Sequence, residues 1–399
     1  MFGRSSPGPA PASPAAATCG GQSSLLPFSL LLPGDFRPAC VSGKGFFVPT
    51  SDPSHSRAPI PAGVADAARS WGGEHVRVDR LTGDASTRIY FRAASGSSSG
   101  HPHDAAAQTV IIALHDSAFD AVTFPFLQTT DLFIAAGVPV PRIISRQPTA
   151  GILILEDLGD RLLQHVLMEN APASMAAPLY RTAVDHIVRL QQHGTPRLSP
   201  ALEAGRLALD AERFRFELDY FFTHVVLGLH GTKPSHRQRE AVEVAFEHLC
   251  ARLDQEPRVL CHRDYHARNL LVTGDGRLVA IDHQDSRRGP DTYDLASLLY
   301  DPYVDLQVSR TRECIRQFRQ ARGLKESAAV FSERLDAMAA QRLLKAAGTF
   351  AAQKLLHNRS SYLAYLPAAL TRARAALGRH DTHGDLLAAL TPLLPEWAR

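Results

Sequence analysis

Apolar and polar positions along this chain follow two periods, and the change from one to the other divides it. Residues 76–81, 89–92 and 109–114 alternate or run as short β-branched stretches, the pattern of strands. Ile143-Ile144 and Ile152-Leu153-Ile154-Leu155 read the same way around a turn at residues 148–151. Two helical stretches interrupt them, residues 61–71 and 124–136. The second is stopped by Gly137 and by Val138-Pro139-Val140-Pro141. From Met175 onward the period is helical. Residues 180–192, 207–229 (with Phe214, Leu218, Phe221, Phe222 and Val225 in one band) and 237–253 each form an apolar stripe, and the chain beyond Leu306 reads as helices. The pattern predicts an α+β chain of two lobes: a small β-rich lobe over residues 61–157 and a helical lobe over residues 158–399.

Residues 1–60 are a different material. They are rich in Ala, Pro, Ser and Gly, carry no acid before Asp35, and break their apolar pieces with proline. Such a segment buries too little to offset its chain entropy, which predicts an unstructured extension. Residues 95–108, beginning Ser-Gly-Ser-Ser-Ser-Gly, read as an excursion between strands. A formal charge of +3 on 399 residues favours neither a nucleic-acid nor a membrane-surface partner. The five cysteines lack paired spacing, and no apolar run approaches the ~20 residues of a membrane span. A cytoplasmic monomer is the expectation.

The chemistry concentrates in residues 259–299. Val259-Leu260 leads into a polar loop, His262 to Asn269. Residues 270–272 form a strand, Gly274-Asp275-Gly276 turns the chain, and a second strand returns to Asp282. Asp264, Asn269 and Asp282 are thereby gathered at one end of a hairpin. His-x-Asp-x4-Asn followed by an Asp after the return strand is the phosphotransfer constellation of protein-kinase-like enzymes. A hydroxyl attacking a γ-phosphoryl group needs a carboxylate to orient it, which is the place of Asp264. Mg²⁺ takes hard oxygen ligands, which Asn269 and Asp282 supply beside ATP. Asp294, opening a helix, is expected to hold the catalytic-loop backbone at His262.

Upstream, Thr82-Gly83-Asp84-Ala85-Ser86-Thr87-Arg88 lies between strands, so Ser86, Arg88 and neighbouring amides are placed to meet phosphates. Glu156 and Leu158, at the crossing between lobes, are placed at the nucleotide base. No lysine occurs between Lys44 and Lys233, and residues 124–136 contain no glutamate, so the strand lysine and helix glutamate of kinases are both missing. The sequence then offers a degenerate kinase or an arginine, Arg88 or Arg92, in place of the lysine. Beyond Leu306, fifteen Lys/Arg stand against seven Asp/Glu. Among them Arg342 and Lys345 share one helix face, where they can meet an anionic group. Glu217 is a further candidate for the acceptor cleft.

These segments resemble the N-acetylmuramate/N-acetylglucosamine anomeric kinases of the aminoglycoside-phosphotransferase-like superfamily. The likeness rests on Leu81-Thr82-Gly83-Asp84-Ala85-Ser86 with Arg88-x-Tyr90-Phe91-Arg92, on Leu155-Glu156-Asp157-Leu158-Gly159-Asp160, on His262 to Asn269, on Ile281-Asp282-His283-Gln284-Asp285 with Arg288-Gly289-Pro290, and on Gln341-Arg342-x-x-Lys345. His283 stands where the usual pattern has Phe. The resemblance implies a two-lobed kinase-like fold, ATP with Mg²⁺, and phosphorylation of the C1 hydroxyl of N-acetylmuramate or N-acetylglucosamine in cell-wall recycling. Under it, Arg342, Lys345 or Arg288 would hold the lactyl carboxylate of N-acetylmuramate, and Glu217 and His266 are further acceptor-site candidates. The alternatives are a kinase for another small hydroxyl compound, such as an aminoglycoside or amino alcohol, and a nucleotide-binding pseudokinase.

Overall fold

Strands with two apolar faces need a layer on each side, and the first lobe supplies both. The computed structural model describes residues 59–81, 88–96, 108–169 and 173–398. The extension over residues 1–58, the loop over residues 82–87 with Ser86, and most of the excursion, residues 97–107, lie outside the described residues. The first lobe comprises α1 (Ala62–Gly72), β1 (Arg77–Leu81), β2 (Ile89–Ala94), β3 (Thr109–Leu114), α2 (Pro125–Ala135), β4 (Ile143–Gln147) and β5 (Ile152–Glu156). The strands form one five-stranded sheet in the order β1-β2-β3-β5-β4, antiparallel at every pairing. Alternation sorts its side chains: Phe91, Ala93, Val110, Ile112, Ile152 and Ile154 pack with Val64, Ala67 and Ala68 of α1. Tyr90, Ala113, Leu153 and Leu155 face the other way and pack with Phe126 and Leu127 of α2.

The second lobe opens with α3 (Leu163–Met168), α4 (Ala173–Arg189), α5 (Glu203–Arg206), α6 (Ala211–Phe221) and α7 (His236–Asp254). The α6 helix widens into a π-helical stretch, Phe222–Leu229. Two short antiparallel ladders follow, β6 (Arg258–Cys261) with β9 (Arg287–Pro290), and β7 (Leu270–Val272) with β8 (Leu278–Ala280). The β7–β8 turn passes through Gly276 at φ 82°, the left-handed region where glycine carries no steric cost. Then come α8 (Tyr293–Leu299), α9 (Val308–Arg322), α10 (Ala328–His357), α11 (Leu366–Leu377) and α12 (Gly384–Leu390). Among the described residues, no helix is long and apolar enough to cross a membrane.

The 30-residue α10 is the axis of this lobe. Helices that are surrounded on all sides lose the two-faced pattern of surface helices, and α10 buries Leu335, Met338, Leu343, Leu344, Ala347 and Phe350 around its circumference. It buries Gln341, Arg342 and Lys345 as well, and these are the polar groups it carries to the site. The close approach of α10 to α6 depends on Gly348. A Cβ there would stand 2.8 Å from Phe221 Cα and 2.9 Å from Phe221 N, backbone atoms that have no rotamer to escape into. Gly348→Ala is therefore expected to destabilise the chain by about 1–3 kcal/mol, read as a lower urea midpoint. An unchanged midpoint would show that the two helices separate without cost.

Candidate active site

Strand β6 delivers the chain into the loop from His262 to Asn269, and a single carboxylate shapes its first turn. Asp294, in the first turn of α8, accepts the backbone N–H of His262 at 2.7 Å and that of Arg263 at 3.0 Å. These two bonds hold Arg263 at φ 84°, a conformation that costs a non-glycine residue energy and persists only when the surroundings over-determine it. Burial pushes the Asp294 carboxyl up to about 6, against the two backbone hydrogen bonds and Arg342. His262 Nε2 donates to the carbonyl of Ile281 at 3.0 Å, and burial lowers its ring to about 4, so it is a neutral brace. Asn269 Nδ2 donates to the carbonyl of Asp264 at 2.8 Å. Ile281 N–H donates to the carbonyl of Asn269 at 3.0 Å, which joins the loop to the end of β8.

Asp264 faces two cations from α10. Lys345 Nζ lies 3.1 Å from its Oδ1 and Arg342 Nη2 3.7 Å from the same atom. Burial would raise the Asp264 carboxyl, but Lys345, Arg263 and Arg342 hold it far below the usual carboxylate range. Arg342 also donates to the Tyr293 hydroxyl, with its guanidinium 4.4 Å from the Tyr293 ring centroid.

Asp282 is the converse case. It sits at φ 61°, accepts from Gln284 Nε2 at 2.7 Å and lies 3.9 Å from Arg88 Nη2. Burial pushes its carboxyl up to about 7, with Arg88 opposing and Asp285 and Asp264 adding to the rise. This buried carboxylate is short of positive charge, and a divalent cation would supply it. Among the described residues, no group of three or more His, Cys, Asp or Glu is arranged to hold a metal. The donor set suits Mg²⁺, which binds through one or two protein oxygens and completes its shell with phosphate and water.

Two cavities lie near this loop, and its residues line one of them. The larger is lined by Asp264, His266, Arg268, Arg342, Lys345 and the rings of Tyr300, Tyr303, Phe350 and Tyr362. The other is a slot between the sheet and the β7–β8 hairpin; Leu81, Ile111, Leu155, Glu156, Leu158, Leu271 and Ile281 line it. Its apolar walls suit a flat ring system.

The structure brings Asp264, Asn269, Asp282, His262, Asp294 and Arg88 into one continuous network, and puts Glu156 and Leu158 in the slot. His266, Arg342 and Lys345 line the larger cavity. Two expected acceptor residues lie off this cavity. Arg288 is exposed on β9 and does not line the cavity. The adjacent Arg287 turns inward, 3.9 Å from Asp285, because strand neighbours point to opposite faces. Glu217 also does not line the cavity. It is buried on α6, accepting from Gln341 Nε2 at 3.0 Å and ion-paired with Arg213 at 3.3 Å. Burial would raise its carboxyl, but Lys345, Arg263 and Arg213 keep it lowered.

Of the two arginines considered for the missing lysine, Arg92 is committed elsewhere. It pairs with Asp157 at 2.7 Å and Asp160 at 2.7 Å, clamping the crossing between lobes. Arg88 faces Asp282 and donates to Gln284 Oε1 at 3.0 Å.

His283 joins the loop after β8 to α2. Its ring packs on Phe126 and Phe133 at 4.8 and 5.2 Å, and its Nε2 lies 2.8 Å from Thr130 Oγ1. The Thr130 hydroxyl donates to the carbonyl of Phe126 at 2.8 Å, so His283 Nε2 is the donor in the other bond. The spacing of the motif carried no sign of this link, because Thr130 is 153 residues away. Thr130→Val should cost about 1–3 kcal/mol, the penalty for stranding a buried donor, with Thr130→Ser close to wild type. Equal denaturant midpoints for all three proteins would remove the link from the account.

The chain has relatives among known phosphotransferases. The model of a family described as "Phosphotransferase enzyme family" matches residues 78–331. The N-acetylmuramate/N-acetylglucosamine kinase of Neisseria meningitidis serogroup B is 28% identical over 317 residues, covering 78% of this chain and 89% of the relative. That of Pseudomonas aeruginosa is 29% identical over 275 residues, covering 67% and 78%. A spectinomycin phosphotransferase solved with ADP and spectinomycin shares the fold, with a TM-score of 0.52 at 13% identity over 80% of this chain and 99% of that one.

Proposed function

Because the chain belongs to the phosphotransferase enzyme family, a kinase-like fold that acts on a hydroxyl acceptor, we propose that it is an ATP-dependent sugar kinase. Its acceptor is the C1 hydroxyl of N-acetylmuramate and of N-acetylglucosamine, and its role is cell-wall recycling as a cytoplasmic monomer. The observation that carries the acceptor class is the larger cavity. Asp264 shares it with Arg268, Arg342 and Lys345 and with the four aromatic rings of Tyr300, Tyr303, Phe350 and Tyr362. Rings pack against sugar faces, and three cations disfavour a polycationic aminoglycoside or a quaternary amine. The relatives named for N-acetyl sugars point the same way.

In this reading the nucleotide base occupies the slot at Glu156 and Leu158, and Arg88, with Ser86 and its neighbours, attends the phosphates. Asn269 and Asp282 would hold Mg²⁺; the Asn269 amide nitrogen is bonded to Asp264, so Oδ1 is its ligating atom. Bound Mg²⁺ neutralises phosphate charge. Asp264 orients the sugar hydroxyl and accepts its proton late. A carboxylate with so low a proton affinity is a weak base, which suits a loose transition state in which positioning dominates. His262 and Asp294 keep the loop in shape, and His266 and Arg342 wall the acceptor.

ATP consumption by the full chain with N-acetylmuramate, N-acetylglucosamine and kanamycin tests this directly. Turnover is expected with both N-acetyl sugars, giving an acid-labile 1-phosphate, and none with kanamycin; the opposite ranking would overturn the proposal. Asp264→Ala is expected to abolish turnover while Mg·ATP still raises the melting temperature. Retained turnover would remove Asp264 from its role.

The raised Asp282 carboxyl sets a pH dependence. With a pKa of about 7 it is mostly protonated at pH 6 and must lose that proton to hold a cation. Mg·ATP should therefore bind about tenfold more weakly at pH 6 than at pH 8, measured by calorimetry. Binding that is flat across this window would show that the Asp282 carboxyl is already ionised at pH 6, and binding that strengthens on acidification would exclude Asp282 as the ligand.

A further inference from the structure

Both α10 cations approach one atom, and that atom limits what they can do. Lys345 Nζ is 3.1 Å and Arg342 Nη2 3.7 Å from Asp264 Oδ1, with side chains only 8% and 9% exposed. Arg342 is anchored from behind by the Tyr293 hydroxyl and ring. Lys345 has no such anchor: among the described residues its ammonium donates to Asp264 alone, and it lines the acceptor cavity. An ammonium has three N–H donors, so it can serve Asp264 and a second group together.

A hydroxyl oriented by Asp264 must come within about 3 Å of that carboxylate. It is then also beside Lys345, and the γ-phosphoryl group aimed at it arrives at the same place. An uncompensated Asp264 carboxylate at the point of attack would repel the anionic phosphoryl group. An acceptor carboxylate held by Lys345 would sit there too and add to the repulsion. Electrostatics at this atom favour a cation that serves the reaction centre over one that holds the far side of a sugar.

Building on the sugar-kinase reading, we infer that Lys345 is a catalytic cation of the transfer step, compensating Asp264 and facing the transferred phosphoryl oxygens, rather than a ligand for an acceptor carboxylate. In that step the acceptor oxygen bonds to the γ-phosphorus as the bond from phosphorus to the β,γ-bridging oxygen breaks. ADP leaves with that electron pair, the hydroxyl proton passes to Asp264, and Lys345 keeps all its protons. Its charge is then needed equally for anionic and neutral acceptors, and a site with this cation can take both N-acetylmuramate and N-acetylglucosamine.

The test is Lys345→Met and Lys345→Arg in the full chain, each assayed with N-acetylmuramate, with N-acetylglucosamine, and with water as acceptor through sugar-free ATP hydrolysis. Lys345→Met is expected to lower kcat roughly 100-fold, by the same factor for both sugars, with each KM nearly unchanged. Lys345→Arg should recover most of the loss. A raised KM for N-acetylmuramate alone, with N-acetylglucosamine turnover intact, would make Lys345 a carboxylate ligand and overturn the inference. If the wild type phosphorylates neither sugar, the sugar-kinase reading falls and the water arm decides Lys345: hydrolysis lowered in Lys345→Met supports the role, and unchanged hydrolysis refutes it. Should Lys345→Met fail to fold, Lys345→Gln keeps a hydrogen bond to Asp264 without the charge and must show the same loss.

Discussion

One buried carboxylate, Asp294, receives two successive backbone amides, and the geometry of the catalytic loop depends on it. A loop that crosses a protein interior has to satisfy each of its amides away from water. Here Asp294 takes those of His262 and Arg263, Asp301 takes that of Ala267 at 2.8 Å, and the Asp264 carbonyl takes the Asn269 side chain. With these bonds made, Arg263 can be held at a positive φ, and Asp264 stands directly after it, against the α10 cations. The fold contributes rigidity on both sides. The β6–β9 ladder fixes the start of the loop, and the bond from Ile281 to Asn269 fixes its end to the strand that leads to Asp282.

The legible parts of the sequence were those whose cause is local. Strand alternation and helical stripes depend on neighbours two to four residues apart, so the five strands of the sheet and the amphipathic helices α4, α6 and α7 were predictable from period alone, whereas α10, buried on all sides, carries no such stripe. The same holds for Asp264, Asn269 and Asp282, which sit on one loop and one hairpin. What escaped depends on contacts across the chain. Arg288 and Arg287 are equivalent in a motif, but strand pleat decides that only Arg287 turns inward. Glu217 has the right chemistry for a cleft, yet the helix pairing that Gly348 permits submerges it beneath Gln341. Arg92 looked as suitable as Arg88 until the crossing strand brought Asp157 and Asp160 against it. His283 read as an anomaly because its partner, Thr130, lies in the other lobe.

The missing lysine then has a structural account. On β3, Val110 and Ile112 point toward α1, while Ile111 and Ala113 point toward the cleft. The cleft-facing positions that a phosphate-binding lysine would use are therefore apolar, and Ile111 forms part of the wall of the nucleotide slot. Positive charge reaches the site from elsewhere: Arg88 at the edge of β2 faces Asp282, and Arg342 and Lys345 on α10 face Asp264. A lysine on β3 would have belonged to the nucleotide side, anchored by a glutamate on α2 that is also absent. Charge supplied by α10 belongs instead to the wall of the cavity that Asp264 shares. The same side chains that compensate Asp264 also set the sign of the acceptor cavity. Under the proposed reading, rejection of cationic acceptors and support of the transfer step would be two effects of one placement of charge.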